Sequence, residues 1–111
     1  MLIVLLHPQY DDEHLHQVIA EMQIKGAPVI RCIWSKNYSC YFAVEGCHRL
    51  RAAAALNINP IIKDISAQKT AAIQLEQKTK KVSVKNFLEE LEEDASIAAY
   101  LDFNIEIEGS D

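Results

Sequence analysis

The sequence predicts an α+β domain, a small mixed β-sheet with helices packed around it, followed by a helical C-terminal extension. Three observations predict it. Short runs rich in β-branched and aromatic residues alternate with stretches whose apolar residues recur at helical spacing. The 111 residues are half apolar, which suits one domain with a core of its own. A glycine, Gly46, separates one strand-like run from an alanine-rich helical one.

Taken in order, Met1 to Leu6 is a short apolar run suited to a buried strand. It has no basic lead and His7-Pro8 ends it, so it reads as a first strand rather than a signal peptide. Asp11 or Asp12 caps a helix in which Leu15, Val18, Ile19 and Met22 follow the i, i+3, i+4, i+7 pattern. Gly26 stops that helix and Pro28 lies just beyond. Val29 to Trp34 and Ser39 to Val44 read as strands, joined by a turn at Ser35-Lys36-Asn37-Tyr38. Leu50 to Leu56, with four consecutive alanines, reads as a compact helix with Asn57 as its C-cap, and Pro60 to Ile65 as another strand. Ser66 is placed at the cap of a helix running to about Lys78. Ser83 caps a further helix with Val84, Phe87, Leu88 and Leu91 on one face and Glu89, Glu90, Glu92 and Glu93 largely outside. The pattern leaves open whether it breaks near Asp94 or continues through Tyr100. Phe103, Ile105 and Ile107 alternate with Asn104, Glu106 and Glu108, the signature of a late edge strand.

The net charge of -5 hides an asymmetry. Residues 1–85 hold all 11 Lys and Arg and carry a net +4, whereas residues 86–111 hold 9 acids and no Lys or Arg. Nucleic-acid binding needs a continuous basic surface that displaces counterions from phosphates. It is not predicted here, although Lys78, Lys80, Lys81 and Lys85 form a local basic cluster. The acidic end reads either as a solvated helix face or as a segment that covers the basic patch or binds a protein partner. No run approaches the roughly 18 apolar residues of a membrane span. Cys32, Cys40 and Cys47 are odd in number and form no C-x-x-C, so a reducing cytoplasm fits better than a disulfide framework. Cys32 and Cys40 read as core residues. His14 and His16, two apart, do not share a helix face, so no metal site is predicted there.

Val44-Glu45-Gly46-Cys47-His48-Arg49 is where a strand hands over to a helix. The first turn of a helix leaves backbone N–H groups unpaired, and the macrodipole places partial positive charge there. A glycine lets the backbone approach an anion closely. Arg49 adds a bidentate donor, His48 a second side-chain donor, and Arg51 lies two positions on. Taken alone, the residues read either as a phosphate site or as a glycine at an ordinary tight turn with an exposed Arg.

Tyr41-Phe42-Ala43-Val44-Glu45-Gly46-Cys47-His48-Arg49-Leu50-Arg51-Ala52 resembles the phosphate-binding motif of the ParB/sulfiredoxin superfamily. The resemblance runs from about Leu2 to Ile65, including the helix ending at Gly26, the hairpin after Pro28, the motif helix and Asn59-Pro60 before a strand. It implies a nucleotide-binding core over residues 1–66; the helical, acidic extension over 67–111, packed on the same domain, is read from pattern and charge and lies outside the resemblance. Sulfiredoxins carry Gly-Gly-Cys-His-Arg, use ATP and Mg²⁺, and employ the motif cysteine to repair a sulfinic acid on peroxiredoxin. Gly46 to Arg49 match, Glu45 stands at the first glycine, and His14 takes the place of a nucleotide-contacting lysine. Free-serine kinases carry an acid and then Gly-His-His-Arg, and an acidic stretch opening the preceding helix supplies the base. Glu45 matches that acid, Cys47 replaces the first His, and Asp11, Asp12 and Glu13 lie in the right region. ParB proteins proper bind CTP and carry Gly-Glu-Arg-Arg, which this chain lacks.

The resemblance therefore implies ATP or ADP as ligand, with CTP as a third candidate, and Mg²⁺ as the accompanying ion. The favoured expectation is a kinase- or ATPase-like phosphotransferase in which Gly46, Cys47, His48 and Arg49 hold phosphates, with Arg51 and His14 assisting. Asp12, Glu13 or Glu45 would handle the metal or a proton. The rival is a sulfiredoxin-like reductase with Cys47 as nucleophile, since a thiol at a helix N-terminus beside His48 and Arg49 has a nucleophile's setting. A third reading is a nucleotide-sensing module that binds without turnover.

Overall fold

The computed structural model describes residues 2–5, 10–75, 78–94, 100–103 and 106–108. It is a mixed α+β fold. Strand β1 (Leu2–Val4) is followed by α1 (Asp12–Lys25), the antiparallel pair β2 (Val29–Ser35) and β3 (Cys40–Ala43), α2 (Cys47–Ala55) and β4 (Ile61–Asp64). A hairpin of β5 (Thr70–Leu75) and β6 (Lys78–Ser83) leads into α3 (Val84–Glu93), and two short strands follow, β7 (Tyr100–Asp102) and β8 (Glu106–Glu108).

Local chemistry sets the helix ends. Asp11 is the N-cap of α1, its side chain accepting the His14 N–H at 3.0 Å, and Gly26 ends the helix at φ 81°. Ser83 caps α3 in the same way, accepting the Asn86 N–H at 3.3 Å. That helix stops at Glu93, with Asp94 as its C-cap. Helix α2 begins at Cys47, three residues earlier than the alanine-rich run suggests, and Asn57 just beyond it adopts φ 56°.

The main sheet has the order β7-β1-β3-β2-β4-β8. Pairs β1/β3, β2/β4 and β4/β8 are parallel, and β2/β3 and β1/β7 are antiparallel. In this order β7 and β8 occupy opposite edges, yet only residues 103–105 separate them. Chain of that length spans at most about 14 Å. The edges of a flat six-stranded sheet would lie about 24 Å apart. The sheet must therefore curl. Phe103, the first residue of that crossing, is buried in the core cluster beneath α1 and α2.

Strands β2 and β3 are apolar on both sides because both faces of the sheet are covered. Ile30 and Cys32 join Leu50, Ala52 and Ala53 of α2 and Met22 of α1 in one cluster, while Ile33 turns to the other. There the β5–β6 hairpin and α3 contribute Ala71, Ile73, Val84 and Phe87. The alanines of α2 let it lie close to the sheet. Phe87→Ala is expected to cost about 3–5 kcal/mol of stability, because it empties the contact between α3 and this face. Urea unfolding followed by circular dichroism measures it.

Two expectations are corrected. Residues 66–75 and Lys78 are not helical, and the described residues of the extension form a hairpin, a helix and two strands rather than helices alone. Ser66 closes a turn instead of capping: its N–H donates to Asp64 Oδ1 at 2.8 Å and its hydroxyl accepts the Trp34 N–H at 2.8 Å. Ala71 and Ile73 face the core while Ala72 and Gln74 face out, a period of two that overrides the helix propensity of Ala and Gln. The expected late edge strand is present in part, as β8 (Glu106–Glu108) at one edge, and β7 (Tyr100–Asp102), just before it in sequence, forms the opposite edge. Asn104 and Ile105 of the expected strand lie outside the described residues, as do Met1 and Leu6 of the first run. No helix among the described residues is long and apolar enough to cross a membrane.

Candidate functional site

At the end of β3 the chain passes Val44 and Glu45 and reverses at Gly46, which has φ 76° and ψ 30°. This left-handed conformation is costly for a residue with a Cβ, and here a Cβ would also lie 2.6 Å from Ile30 Cδ1. The turn thus admits glycine on two grounds. Helix α2 starts at once, Leu50 N–H donating to Gly46 O at 2.8 Å, and no side chain caps its N-terminus.

Helix α1 packs along α2 and leaves a cleft of about 580 Å³ between them, within the range of small-molecule sites. One wall is Gly46, Cys47, His48 and Arg49. The other runs down α1 from His14 through Val18, Glu21 and Met22 to Lys25, and ends at Pro28. Five of the sequence-predicted residues, His14, Gly46, Cys47, His48 and Arg49, thus come together. Their apolar companions Val18, Met22 and Pro28 give the cleft a surface that could face a planar ring.

His48 joins the two helices. The Asp11 main-chain N–H donates to His48 Nε2 at 3.1 Å, and the His14 and His48 rings lie 4.2 Å apart, tilted by 39°. Burial holds His48 below the usual imidazole value, His14 and Arg51 add to this, and Asp11 opposes it. In this arrangement Nε2 is an acceptor, so the ring is neutral with its proton on Nδ1. Asp11 itself is held below the usual carboxylate value, chiefly by the His14 N–H it accepts.

Glu45 is taken up by arginines. Its Oε1 lies 2.8 Å from Arg31 Nη2 and its Oε2 lies 3.6 Å from Arg49 Nη2, with the Arg31 N–H a further donor at 3.4 Å. Half-burial pushes the carboxyl up, but the Arg31 hydrogen bond and charge, aided by Arg49, outweigh it and hold Glu45 below its usual value. Arg31 also donates to Ala72 O at 2.9 Å, so this ion pair ties the motif turn to the β5–β6 hairpin. Arg49 is anchored a second time, to Val29 O at 3.2 Å.

Of the remaining candidates, Asp12, Glu13 and Arg51 lie apart from the cleft wall. Asp12 and Glu13 are exposed in the first turn of α1, and the Arg51 guanidinium sits 4.5 Å from the centre of the Tyr10 ring. Cys47 is partly buried, with one side against the first core cluster. Cys32 and Cys40 are buried, and burial pushes both thiols up. Glu21 and Lys25 were not singled out from sequence. The signal was present, because positions 14, 18, 21 and 25 fall on one flank of a helix that starts at Asp12.

A nucleotide fits this donor set: a glycine turn, a helix N-terminus without a side-chain cap, and Arg49 beside it. Among the described residues no group of three or more His, Cys, Asp or Glu could hold a metal ion, and Glu21 is the one carboxylate in the cleft's described lining. The chain matches no protein-family model, no curated protein and no solved structure.

Proposed function

We propose that the cleft between α1 and α2 binds the phosphates of a nucleotide, ATP or ADP, and that the protein is a phosphotransferase or nucleotide hydrolase with a ParB/sulfiredoxin-like core. The observation that carries this reading is Gly46, held left-handed where any Cβ would meet Ile30, at the N-terminus of α2 and facing the cleft. In this reading the N–H groups of α2's first turn face the phosphates, and Arg49 swings from Glu45 to pair with them. Glu45 acts as a positioning group for Arg49. A bound magnesium ion would supply charge neutralisation between phosphates. A proton from an acceptor hydroxyl would go to Asp12 or Glu13, which open α1 beside His48. A cytoplasmic setting, in which the three thiols stay reduced, belongs to the same proposal.

One observation favours a second reading. Cys47 lines the cleft, so a sulfiredoxin-like reductase would have its nucleophile beside the phosphates. ATP turnover and ADP binding, measured on Cys47→Ser and on the Asp12→Asn, Glu13→Gln double variant, separate the two. Phosphoryl transfer expects Cys47→Ser to stay within about threefold of the parent and the double variant to lose about 10²-fold or more. The reductase expects Cys47→Ser to bind ADP normally and lose all turnover. Absence of turnover in the parent protein, with ADP still bound, would instead leave a nucleotide-sensing module.

A further inference from the structure

A second, larger cleft of about 850 Å³ opens on the opposite face of the sheet, between α3, the β2–β3 turn and the β4–β5 connection. Its floor is apolar, with Ile33 and Val84 buried and Leu88 half-buried. Its rim is basic: Lys36 comes from the β2–β3 turn, Lys69 from the residues before β5, and Lys85 from the first turn of α3. All three are exposed, and among the described residues none of them forms an ion pair. Three segments distant in sequence thus bring unpaired cations around an apolar floor, in a chain whose net charge is -5.

We propose that this cleft docks an acidic peptide segment of a partner protein, with an aliphatic side chain of the peptide on the Ile33–Val84–Leu88 floor and its carboxylates on Lys36, Lys69 and Lys85. The pattern is that of a small interface, an apolar anchor ringed by polar and charged contacts. Two carboxylates also line the cleft. Glu92 accepts from the Ser35 hydroxyl and the Asn37 amide through one carboxylate oxygen, which directs it toward the β2–β3 turn. Glu89, one turn after Lys85 on α3, marks the wall that the peptide's acids avoid. A phosphodiester chain carries a charge at every nucleotide and would meet Glu89 and the exposed Glu90 and Glu93, whereas a peptide can place an uncharged residue there. This site is independent of the nucleotide proposal.

The test is a nuclear magnetic resonance titration of the full ¹⁵N-labelled chain with the blocked peptide Glu-Leu-Glu-Glu-Leu-Glu, beside hexaglutamate and a dodecamer of deoxythymidylate. The expected result is saturable shifts at Lys36, Lys69 and Leu88. Affinity should fall about tenfold or more in the Lys36→Glu, Lys69→Glu, Lys85→Glu triple variant, and hexaglutamate should bind about fivefold more weakly. Should the triple variant not fold, Lys36→Glu and Lys69→Glu, each in a turn, are each expected to weaken binding about threefold. Absence of saturable shifts, shifts centred on Lys78, Lys80 and Lys81, or equal binding of hexaglutamate or the oligonucleotide would overturn the proposal. So would sedimentation of the free chain as a dimer that the triple variant breaks, since the occupant would then be a second copy.

Discussion

Gly46→Ala is expected to lower stability by about 2–5 kcal/mol and to weaken nucleotide binding by about 10²-fold or more. Two costs add. A residue with a Cβ is strained at φ 76° by about 1–2 kcal/mol. The new methyl would also stand 2.6 Å from Ile30 Cδ1, an overpacking that costs about 1–3 kcal/mol. Ile30 is fully buried, so its terminal methyl has little room to retreat. The mechanism can be isolated, because Ile30→Val deletes the atom in the clash. In that background Gly46→Ala is expected to cost about 1 kcal/mol less, a coupling that urea unfolding of the four-protein cycle measures. Nucleotide binding should not return with it, because the backbone proposed to face the phosphates remains displaced. Recovery of binding together with stability would mean that Gly46 serves only the fold.

Phosphate affinity is expected to rise by roughly three- to tenfold as pH falls from 8 to 6, and His48→Gln is expected to abolish that rise. Neutral His48 accepts the Asp11 N–H through Nε2, whereas protonated His48 becomes a donor that an anion on the α2 turn can use. The unliganded protein should respond in the opposite sense. The folded-state value of His48 is depressed below its unfolded value. The neutral ring's contribution to stability is therefore present above the unfolded value and is lost as pH falls through the folded one. Protonation sets two donors face to face at Asp11 and two rings 4.2 Å apart in repulsion. Titration of ADP affinity and of urea stability against pH, in the parent and in His48→Gln, reads both effects. A pH dependence of affinity that survives in His48→Gln would assign the linkage to the phosphates alone.

Much of the first half was legible because its signals are local. Asp11, Gly26 and Pro28 bracket α1, and the residues of its apolar stripe are those that pack on the first core cluster. The turn at Gly46 was legible from one glycine between a strand-like and a helix-like run. Residues 66–78 were misread because Ala71, Ala72, Gln74 and Leu75 suit a helix in isolation. What makes them a strand is distant, since Arg31 holds Ala72 O and Val82 pairs across from Ala71. The fate of Glu45 was equally beyond reach of local pattern. Beside a phosphate site a carboxylate reads as repelled or catalytic, and only the fold brings Arg31, fourteen residues away, to neutralise it. The acidic face of α3 was legible from spacing, but Glu92 was not separable from its neighbours. It leaves that face to clamp Ser35 and Asn37 in the β2–β3 turn.

The most direct test of the phosphate site is calorimetric titration of the protein with ATP, ADP and CTP, each with Mg²⁺, beside Arg49→Ala. Arg49 lines the cleft and, among the described residues, is held by Glu45 and Val29 O alone, so its removal should leave the fold intact. The account expects saturable binding of an adenine nucleotide by the parent protein, weakened by about 10²-fold or more in Arg49→Ala, the loss of a bidentate charged contact. Binding of none of the three nucleotides, or equal binding by both proteins, would contradict it.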